Sequence, residues 1–234
     1  HKTNPSHHQE YVDDNNSSTS QKLTPEGIVL LSFIQPSMNG TVVEVKCDFR
    51  SASRTYVYVR ETNCLEIDPN KTFAEYTTGF GNTVGNYFLG LEHIYNILQI
   101  GYFSLGIRFE FDGHVAKGYY HKFVIDSKSK AYRLSINSFQ NDSKFSCGDS
   151  LINGAFSLNG RPFSTFDHDL TTHSCPVRFG GGWWYLDDPV CSRSNVNGRR
   201  SGDNFESTWH WQVDLGNTSF SSMYMFLRYK NNQN

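Results

Sequence analysis

Short runs of alternating apolar and polar residues are the feature that most constrains how this chain can fold. These runs occupy residues 27–34, 41–49, 55–60, 103–111, 114–124, 132–139 and 223–229. Successive side chains of a strand point to opposite faces, so each run predicts a strand. Asp112-Gly113 separates two of the runs and is a strong signal for a tight hairpin.

Between these runs the apolar period lengthens to three and four residues. Phe73, Tyr76 and Phe80 follow this spacing. Leu91, Ile94, Tyr95 and Leu98 repeat it. The spacing predicts two short amphipathic helices that end near Gly81 and Gly101.

The two ends of the chain differ from this middle part. Residues 1–22 contain no Phe, Trp, Ile or Leu and predict a disordered polar tail or linker, although His1, His7 and His8 could bind a metal. Residues 23–234 are interpreted as one domain with an N-terminal part (23–65), a central part (66–140) and a loop-rich part (141–234). A loop-rich part of this length needs something to fasten it.

Charge and hydropathy exclude several partners. Lys plus Arg is 21 and Asp plus Glu is 23, and neither sign forms a long run, so we expect no nucleic-acid partner. The longest apolar stretch, residues 27–34, is far shorter than a membrane span requires, so we expect no membrane insertion. Phe, Tyr and Trp make up 15% of the chain, so large aromatic side chains supply much of the core.

Cysteines and glycosylation sequons favour a secreted, extracellular protein. The five cysteines form no CxxC pair, which argues against a zinc knuckle, and their odd number permits two disulfides with one thiol remaining. Acceptor sequons for N-glycosylation include Asn39, Asn70, Asn141 and Asn217. Both features are typical of an oxidising compartment.

The densest chemistry lies between residues 163 and 198. Asp167 and Asp169 alternate there, and Cys175 and Cys191 flank the run GGGWWY at residues 180–185. Two carboxylates at alternate positions of a turn present hard oxygen donors on one side of the chain, and backbone carbonyls can complete a calcium shell. Paired acids in a loop are also commonly just solvated.

Motifs along residues 25–230 appear in the order found in one family. The chain resembles the fibrinogen C-terminal domain, the module of fibrinogens, ficolins, tenascins, angiopoietins and tachylectins. The matching segments are YTTGFGN (76–82), YFLGLEHI (87–94), GDSL (148–151), GWWY (182–185) and NVNG (195–198). The resemblance implies an α+β fold with a central antiparallel sheet, short helices and a loop-rich C-terminal subdomain that holds calcium and a ligand pocket.

The resemblance also assigns roles around the two acids. It implies that Asp167 and Asp169 bind a structural Ca²⁺ together with the carbonyls of Thr171 and His173. It implies a disulfide between Cys175 and Cys191 and a cis peptide between Val190 and Cys191. We expect the metal to support the loop and to take no part in catalysis.

The ligand pocket of the family lies beside that disulfide. Phe179 and Ser192 stand at two of its positions, where relatives carry tyrosine and, in many sugar-binding members, histidine. Phe205, Trp209, His210 and Trp211 come from the stretch that supplies the other wall. Core packing is an equally good interpretation for each of these aromatic residues.

The remaining cysteines leave their pairing open. The family's first cysteine has no counterpart here, so Cys47 is free, pairs with Cys64 or Cys147, or bridges another chain. A bridge from Cys64 to Cys147 or to Cys47 is weakly favoured. Residues 1–22 contain no heptad or collagen repeat, so any oligomer would form through other regions.

Two functional hypotheses follow from the resemblance. The first is a secreted, non-catalytic, lectin-like module that binds glycans or other acetyl- or amine-bearing ligands in a calcium-supported pocket. The second is a signalling ligand, similar to angiopoietin-like proteins, that binds a cell-surface receptor protein. An enzyme is disfavoured, because residues 148–151 spell the GDSL esterase motif but no DxxH follows it.

Overall fold

The structure is a computed structural model that describes residues 9–12, 18–23, 28–32, 42–48, 54–200, 204–216 and 218–230. Within these residues the strands are β1 (Gln9–Val12), β2 (Ser18–Leu23), β3 (Ile28–Ser32), β4 (Val42–Asp48), β5 (Arg54–Glu61), β6 (Phe80–Gly81), β7 (Tyr87–Phe88), β8 (Tyr102–Phe111), β9 (His114–Ile125), β10 (Leu134–Asn141), β11 (Ser194–Asn195), β12 (His210–Trp211) and β13 (Ser222–Lys230). The helices are α1 (Phe73–Thr78), α2 (Leu91–Leu98), α3 (Cys175–Phe179) and α4 (Gln212–Leu215).

A large antiparallel sheet forms the centre of the molecule, as predicted. Its order is β1-β2-β3-β4-β5-β13-β8-β9-β10, and the short strands β6 and β7 attach beside β5. The last strand, β13, lies between β5 and β8 and pairs with both. The α+β class with a central antiparallel sheet and short helices is therefore confirmed.

The hairpin between β8 and β9 forms where the sequence predicts it. Asp112 and Gly113 have φ values of 47° and 73°, the left-handed conformation that a two-residue hairpin turn requires. The turn fixes a register in which Phe111 opposes His114 and Leu105 opposes Tyr120. This register places Leu105, Phe109 and Tyr120 in the core.

The two predicted helices form and pack against each other. Thr72 and Glu75 make a capping box at the start of α1. The helix stops at Gly79, whose φ of 91° suits glycine, and a Cβ there would lie 2.4 Å from the carbonyl oxygen of Leu89. Helix α2 buries Leu91, Ile94 and Ile97 on its sheet side.

The N-terminal residues differ from the prediction of a disordered tail. Residues 9–12 and 18–23 form the antiparallel pair β1 and β2, and β2 continues into pairing with β3. These contacts are backbone hydrogen bonds, which do not depend on apolar side chains, so the polar composition did not reveal them. Residues 1–8 and 13–17 lie outside the described residues.

The loop-rich C-terminal region, residues 142–216, is fastened to the sheet by buried polar side chains. The Tyr58 hydroxyl on β5 donates to Oδ1 of Asn197 at 2.7 Å. Arg60 Nη1 donates to the carbonyls of Val196 and Gly198 at 2.7 and 2.8 Å. Because these donors stand on a rigid strand, they fix the C-terminal region relative to the sheet.

Candidate functional site

The two predicted calcium aspartates lie in a tight loop beside helix α1. Thr165 and His168 exchange backbone hydrogen bonds of 3.2 and 3.0 Å, which turns the chain at Asp167. Oδ1 of Asp167 accepts from the hydroxyl of Thr165 at 2.7 Å and from the backbone amide of Phe73 at 2.9 Å. Oδ1 of Asp169 accepts from the amide and hydroxyl of Thr171 at 2.8 and 2.7 Å.

The oxygen atoms of this loop that could act as metal ligands fit a calcium ion. Each carboxylate receives its hydrogen bonds on Oδ1, and among the described residues Oδ2 of Asp167 and of Asp169 accepts none. The carbonyls of Thr171 and His173 likewise accept no hydrogen bond from any residue that the structure describes. Hard oxygen atoms from carboxylates and carbonyls are the ligands that Ca²⁺ prefers. The assignment of Asp167, Asp169, Thr171 and His173 stays a prediction.

A further carboxylate ties this loop to the segment before Cys191. Oδ1 of Asp187 accepts from the amide and hydroxyl of Thr172 at 2.7 and 2.9 Å. The hydrogen bonds from the Thr172 amide and hydroxyl lower the pKa of Asp187. Residues 186–190 are therefore attached to the acidic loop, and Asp187 has a structural contact that the sequence did not indicate.

The predicted disulfide between Cys175 and Cys191 is confirmed. The two Cα atoms are 5.6 Å apart, and both residues are fully buried. Cys175 begins helix α3, with Pro176 in its first turn. The bridge thus joins the start of α3 to the turn that precedes Ser192.

The predicted cis peptide between Val190 and Cys191 is wrong, because this bond is trans. The chain reverses there in another way. The amide of Ser192 donates to the carbonyl of Val190 at 2.6 Å, and Cys191 between them has a φ of 59°. A three-residue turn with a positive φ is uncommon for a residue other than glycine, so the disulfide holds a strained position.

Arg178 is the residue at this site that sequence reasoning missed. Its Nε donates to Glu206 Oε2 at 3.0 Å and its Nη2 donates to Glu206 Oε1. Nη2 also donates to the carbonyl of Pro189 at 2.9 Å, and Nη1 lies 3.2 Å from Sγ of Cys191. One guanidinium group therefore joins α3, the turn before Cys191 and the segment that carries Glu206. No local pattern marks this residue among the cationic side chains.

The residues of the predicted ligand pocket come together, but most of them are buried. Phe179, Ser192 and His210 are 2%, 3% and 2% exposed. The Phe205 ring, 38% exposed, stacks on His210 with ring centroids 4.3 Å apart. Phe179 lies 6.1 Å from the same imidazole. The aromatic residues thus form a closed layer under Phe205.

Trp209, Trp211 and Ser192 of the predicted pocket make contacts within the fold. The Trp209 ring lies under the guanidinium group of Arg60 at 4.6 Å. Trp211 is fully buried, and its indole nitrogen donates to the carbonyl of Gly148 at 3.1 Å. The Ser192 hydroxyl accepts from the amide of Ser194 at 3.1 Å. Trp211 is therefore a core residue, whereas the roles predicted for Ser192 and Trp209 in ligand binding stay predictions.

The position of the proton on His210 follows from the hydrogen bond of its Nδ1 atom. Nδ1 lies 2.8 Å from the carbonyl oxygen of Thr208, which only accepts, so Nδ1 carries a proton. Burial lowers the pKa of His210 below its ordinary value, which favours the neutral ring. Nε2 is then an acceptor, and it is buried without a hydrogen-bond partner among the described residues.

Three exposed apolar residues stand on the segments that Arg178 joins, and we call them the apolar rim: Val177, Val190 and Phe205. They are 64%, 43% and 38% exposed. Each is next in sequence to a residue of the Arg178 network, namely Arg178 itself, Pro189 and Glu206. The rim therefore stands on a rigid polar support.

The other three cysteines are thiols. Cys47 and Cys147 are buried and Cys64 is partly buried. The weakly favoured bridges from Cys64 to Cys147 or Cys47 are therefore wrong. Cys47 lies on β4, whereas Cys147 packs against Gly118 on β9, so different strands hold these two residues. Burial raises the pKa of Cys47 to about 11 and that of Cys147 to about 12, which keeps both thiols protonated.

Residues 148–151 serve the fold. Asp149 Oδ1 accepts from the amides of Leu151 and Ile152 and from the Tyr120 hydroxyl at 3.1, 2.9 and 2.9 Å. The hydroxyl of Ser150, 1% exposed, accepts from the amide of Val213 at 3.1 Å. A buried serine that accepts from the backbone is not an activated nucleophile.

Two of the four predicted glycosylation sites fall within the described residues. Asn70 and Asn141 are both exposed. The Asn141 amide group is engaged, donating to the carbonyl of Ser143 at 3.1 Å and accepting from the amide of Cys147 at 3.3 Å. Asn39 and Asn217 lie outside the described residues. Glycosylation stays a prediction at all four positions.

Comparisons with known proteins agree on one domain type. Residues 20–230 match the model of the C-terminal globular domain of fibrinogen beta and gamma chains. Chicken tenascin-R is 32% identical over 199 residues, which cover 81% of this chain and 14% of the relative. Human ficolin-3 is 31% identical over 164 residues, covering 68% of this chain and 51% of the relative.

A solved structure shows the same architecture. The fibrinogen-like globe domain of human ANGPTL2 superposes with a TM-score of 0.72 at 27% identity, covering 88% of this chain and 93% of that one. The chain spans only a fraction of the length of the tenascin and ficolin relatives. None of the helices in the described residues is both long enough and apolar enough to cross a bilayer.

Proposed function

Because the chain belongs to the family of fibrinogen C-terminal globular domains, we propose that it is an extracellular module that recognises a protein partner through its apolar rim. The domain is a non-catalytic recognition module. The observation that carries the choice of a protein partner is the exposure of Val177, Val190 and Phe205, each next in sequence to a residue of the Arg178 network. Apolar side chains left exposed on a rigid support are typical of a protein interface.

The support under the rim favours this proposal. Arg178, Glu206, the Pro189 carbonyl and the Cys175–Cys191 bridge hold the rim segments together before any partner binds. A preorganised surface loses little conformational entropy on association. A receptor ectodomain is the kind of partner that such a surface on an extracellular domain would fit.

Calcium is part of the proposal. Asp167 and Asp169 would bind the ion with the carbonyls of Thr171 and His173, and the ion would supply charge that holds the acidic loop in place. The hydrogen bonds from Thr172 to Asp187 would extend this order to residues 186–190, which include the rim residue Val190. The ion would act as a structural support at some distance from the partner.

The test is binding of the purified domain, in calcium, to an array of extracellular ectodomains and to a glycan array. We expect binding to one or more ectodomains, with at least a tenfold loss in Val177→Asp and in Phe205→Asp, because a charge is costly in a desolvated interface. Val84→Asp is the matched control, since Val84 is 69% exposed on the turn between β6 and β7. Ectodomain binding that survives both rim substitutions would contradict the proposal.

His210 favours a second candidate function, the binding of a glycan or another small ligand. Its Nε2 atom is a buried acceptor with no partner among the described residues. An acetamido N–H or an ammonium group would satisfy it if the Phe205 ring moved aside. The glycan array tests this candidate. If the domain binds acetamido sugars selectively, loses that binding in His210→Phe and binds no ectodomain, this function replaces the protein-binding proposal.

A further inference from the structure

The structure contains a groove of about 430 Å³ that shares no lining residue with the rim or with the acidic loop. Residues 66–69 form one wall and residues 198–200 form the other. The lining combines the charged residues Glu66, Asp68, Arg199 and Arg200 with the apolar side chains of Ile67 and Pro69. A groove with this mixed lining suits a peptide better than a purely apolar ligand.

One carboxylate holds the two walls together. Glu66 Oε1 lies 3.6 Å from Arg60 Nη2 and 3.8 Å from Arg200 Nε. Arg60 also donates to the carbonyl of Gly198, and Arg200 donates to the carbonyls of Glu61 and Thr62 at 3.0 Å each. Arg60 is only 3% exposed, so Glu66 connects the first wall to a buried side chain of β5.

Arg199 supplies the free charge of the groove. Its amide donates to the carbonyl of Ser207 and its carbonyl accepts from the amide of Trp209, both at 2.8 Å, so its backbone is fixed. Its side chain is exposed and has no partner within the part of the chain that the structure describes. The lining carries two guanidinium groups (Arg199, Arg200) and two carboxylates (Glu66, Asp68), so its formal charges balance. Arg200 and Glu66 lie near each other, and Asp68 accepts from the amide of Asn70, which leaves Arg199 as the cation of the groove that is available to a ligand.

The first wall offers open backbone groups. No hydrogen bond from the described residues reaches the amide or the carbonyl of Ile67. An extended peptide beside this wall would pair with those groups, and the side chain of Ile67 would contact an apolar side chain of the peptide.

We propose that this groove binds an extended peptide segment that carries an acidic side chain next to an apolar one. The guanidinium group of Arg199 pairs with the carboxylate of the peptide, and Ile67 with Pro69 receives the apolar side chain. The groove shares no residue with the rim around Arg178, so it provides a contact in addition to the rim.

The test uses the folded domain and a labelled peptide, acetyl-Val-Glu-Val-Glu-Val-amide, with its lysine counterpart acetyl-Val-Lys-Val-Lys-Val-amide. Binding is followed by fluorescence polarisation and mapped by amide chemical shifts. We expect the acidic peptide to shift residues 66–69 and 198–200, and the lysine peptide to bind at least tenfold more weakly.

Variants separate this proposal from the proposed function. Arg199→Ala should weaken the acidic peptide about tenfold, the loss of one charge-assisted pair, and Ile67→Glu should abolish binding. Lys122→Ala removes an exposed cation from β9 and should change nothing, and Val177→Asp on the rim should also change nothing. Unchanged melting temperatures show that each variant folds. No binding of the acidic peptide, shifts elsewhere, or equal affinity of Arg199→Ala would overturn the proposal.

Discussion

The central sheet and the C-terminal region satisfy their buried polar groups in different ways. In the sheet, β13 pairs with β8 from Ser222 opposite Glu110 to Lys230 opposite Tyr102, and this ladder is made by backbone groups. In the C-terminal region, buried side-chain amides bond the backbone instead. Nδ2 of Asn195 donates to the carbonyls of Phe179 and Glu206, each at 2.7 Å, and Nδ2 of Asn197 donates to that of Gly182 at 2.7 Å.

This difference determines how each region tolerates substitution. A strand keeps its hydrogen bonds whatever side chain it carries, so the sheet needs apolar volume and little else. In the C-terminal region each of these amide hydrogen bonds depends on one particular side chain. Replacing that side chain leaves a buried backbone carbonyl without a partner. The predictions below test this contrast, beginning with the largest effect.

Asn197→Leu should destabilise the domain by about 4 kcal/mol. The Tyr58 hydroxyl and the Gly182 carbonyl would both lose a partner in the interior, at about 1 to 3 kcal/mol each, together with the amide group itself. The matched control in the sheet is Met225→Leu, which conserves volume and should cost less than about 1.5 kcal/mol. Urea unfolding measures both, and equal losses would remove the contrast between the regions.

Removal of the disulfide should cost about 3 kcal/mol. Cys175 and Cys191 are separated by 16 positions, and closing a loop of that length restricts the unfolded chain by this amount. We expect Cys175→Ala with Cys191→Ala to unfold at lower urea and to be insensitive to reductant, whereas the parent domain loses stability when reduced. A parent domain with the same midpoint in both conditions would show that the bridge contributes nothing.

Calcium should raise the melting temperature of the parent domain by several degrees, because an ion that binds only the folded state stabilises it by mass action. Asp167→Asn and Asp169→Asn should remove most of this rise while melting close to the parent in chelator. Asp112→Asn at the β8–β9 hairpin is the control and should keep the rise. A parent that melts identically in calcium and in chelator would exclude the site.

Acid should destabilise the domain through two histidines, the partly buried His93 and the buried His210. Burial lowers the pKa of both His93 and His210 from the ordinary value of 6.5. As pH falls through about 6.5, the unfolded chain binds protons that the folded domain does not, so stability decreases, by at most about 1.4 kcal/mol per pH unit for each group.

His93 lies on α2 beside the sheet and His210 lies in the C-terminal region, so the acid effect compares the two regions directly. His93→Gln and His210→Gln should each make stability less steep between pH 7 and pH 5, measured by urea unfolding at each pH. The double variant should be the least steep. If a variant keeps the parent's full dependence of stability on pH, the histidine it replaces has the same pKa in the folded and unfolded states.

Much of the sheet could be predicted from the sequence, because alternation of apolar residues is a local signal. The strands near residues 103–111, 114–124 and 223–229, the turn at Asp112-Gly113 and the helices at Phe73 and Leu91 all form close to the predicted positions. Strands β1 and β2 were missed because backbone pairing alone leaves no apolar pattern.

Less of the candidate site could be predicted. The resemblance to a family correctly predicted the disulfide and the proximity of Phe179, Phe205 and His210. It gave the wrong geometry at Cys191, which has a positive φ and a trans peptide. Arg178 and Asn197 could not be found, because their partners lie far from any local pattern and only the folded chain brings them close.

The place of β13 within the sheet has a consequence for synthesis on the ribosome. Strands β5 and β8 meet only through residues 222–230, so the parts of the sheet on either side of β13 can join only after these residues have left the exit tunnel. The meander of β8, β9 and β10 can form earlier, but the edge of β8 that faces β13 stays unpaired until then. A nascent chain of this domain therefore exposes an open strand edge until residues 222–230 are made, and we expect chaperones to protect that edge.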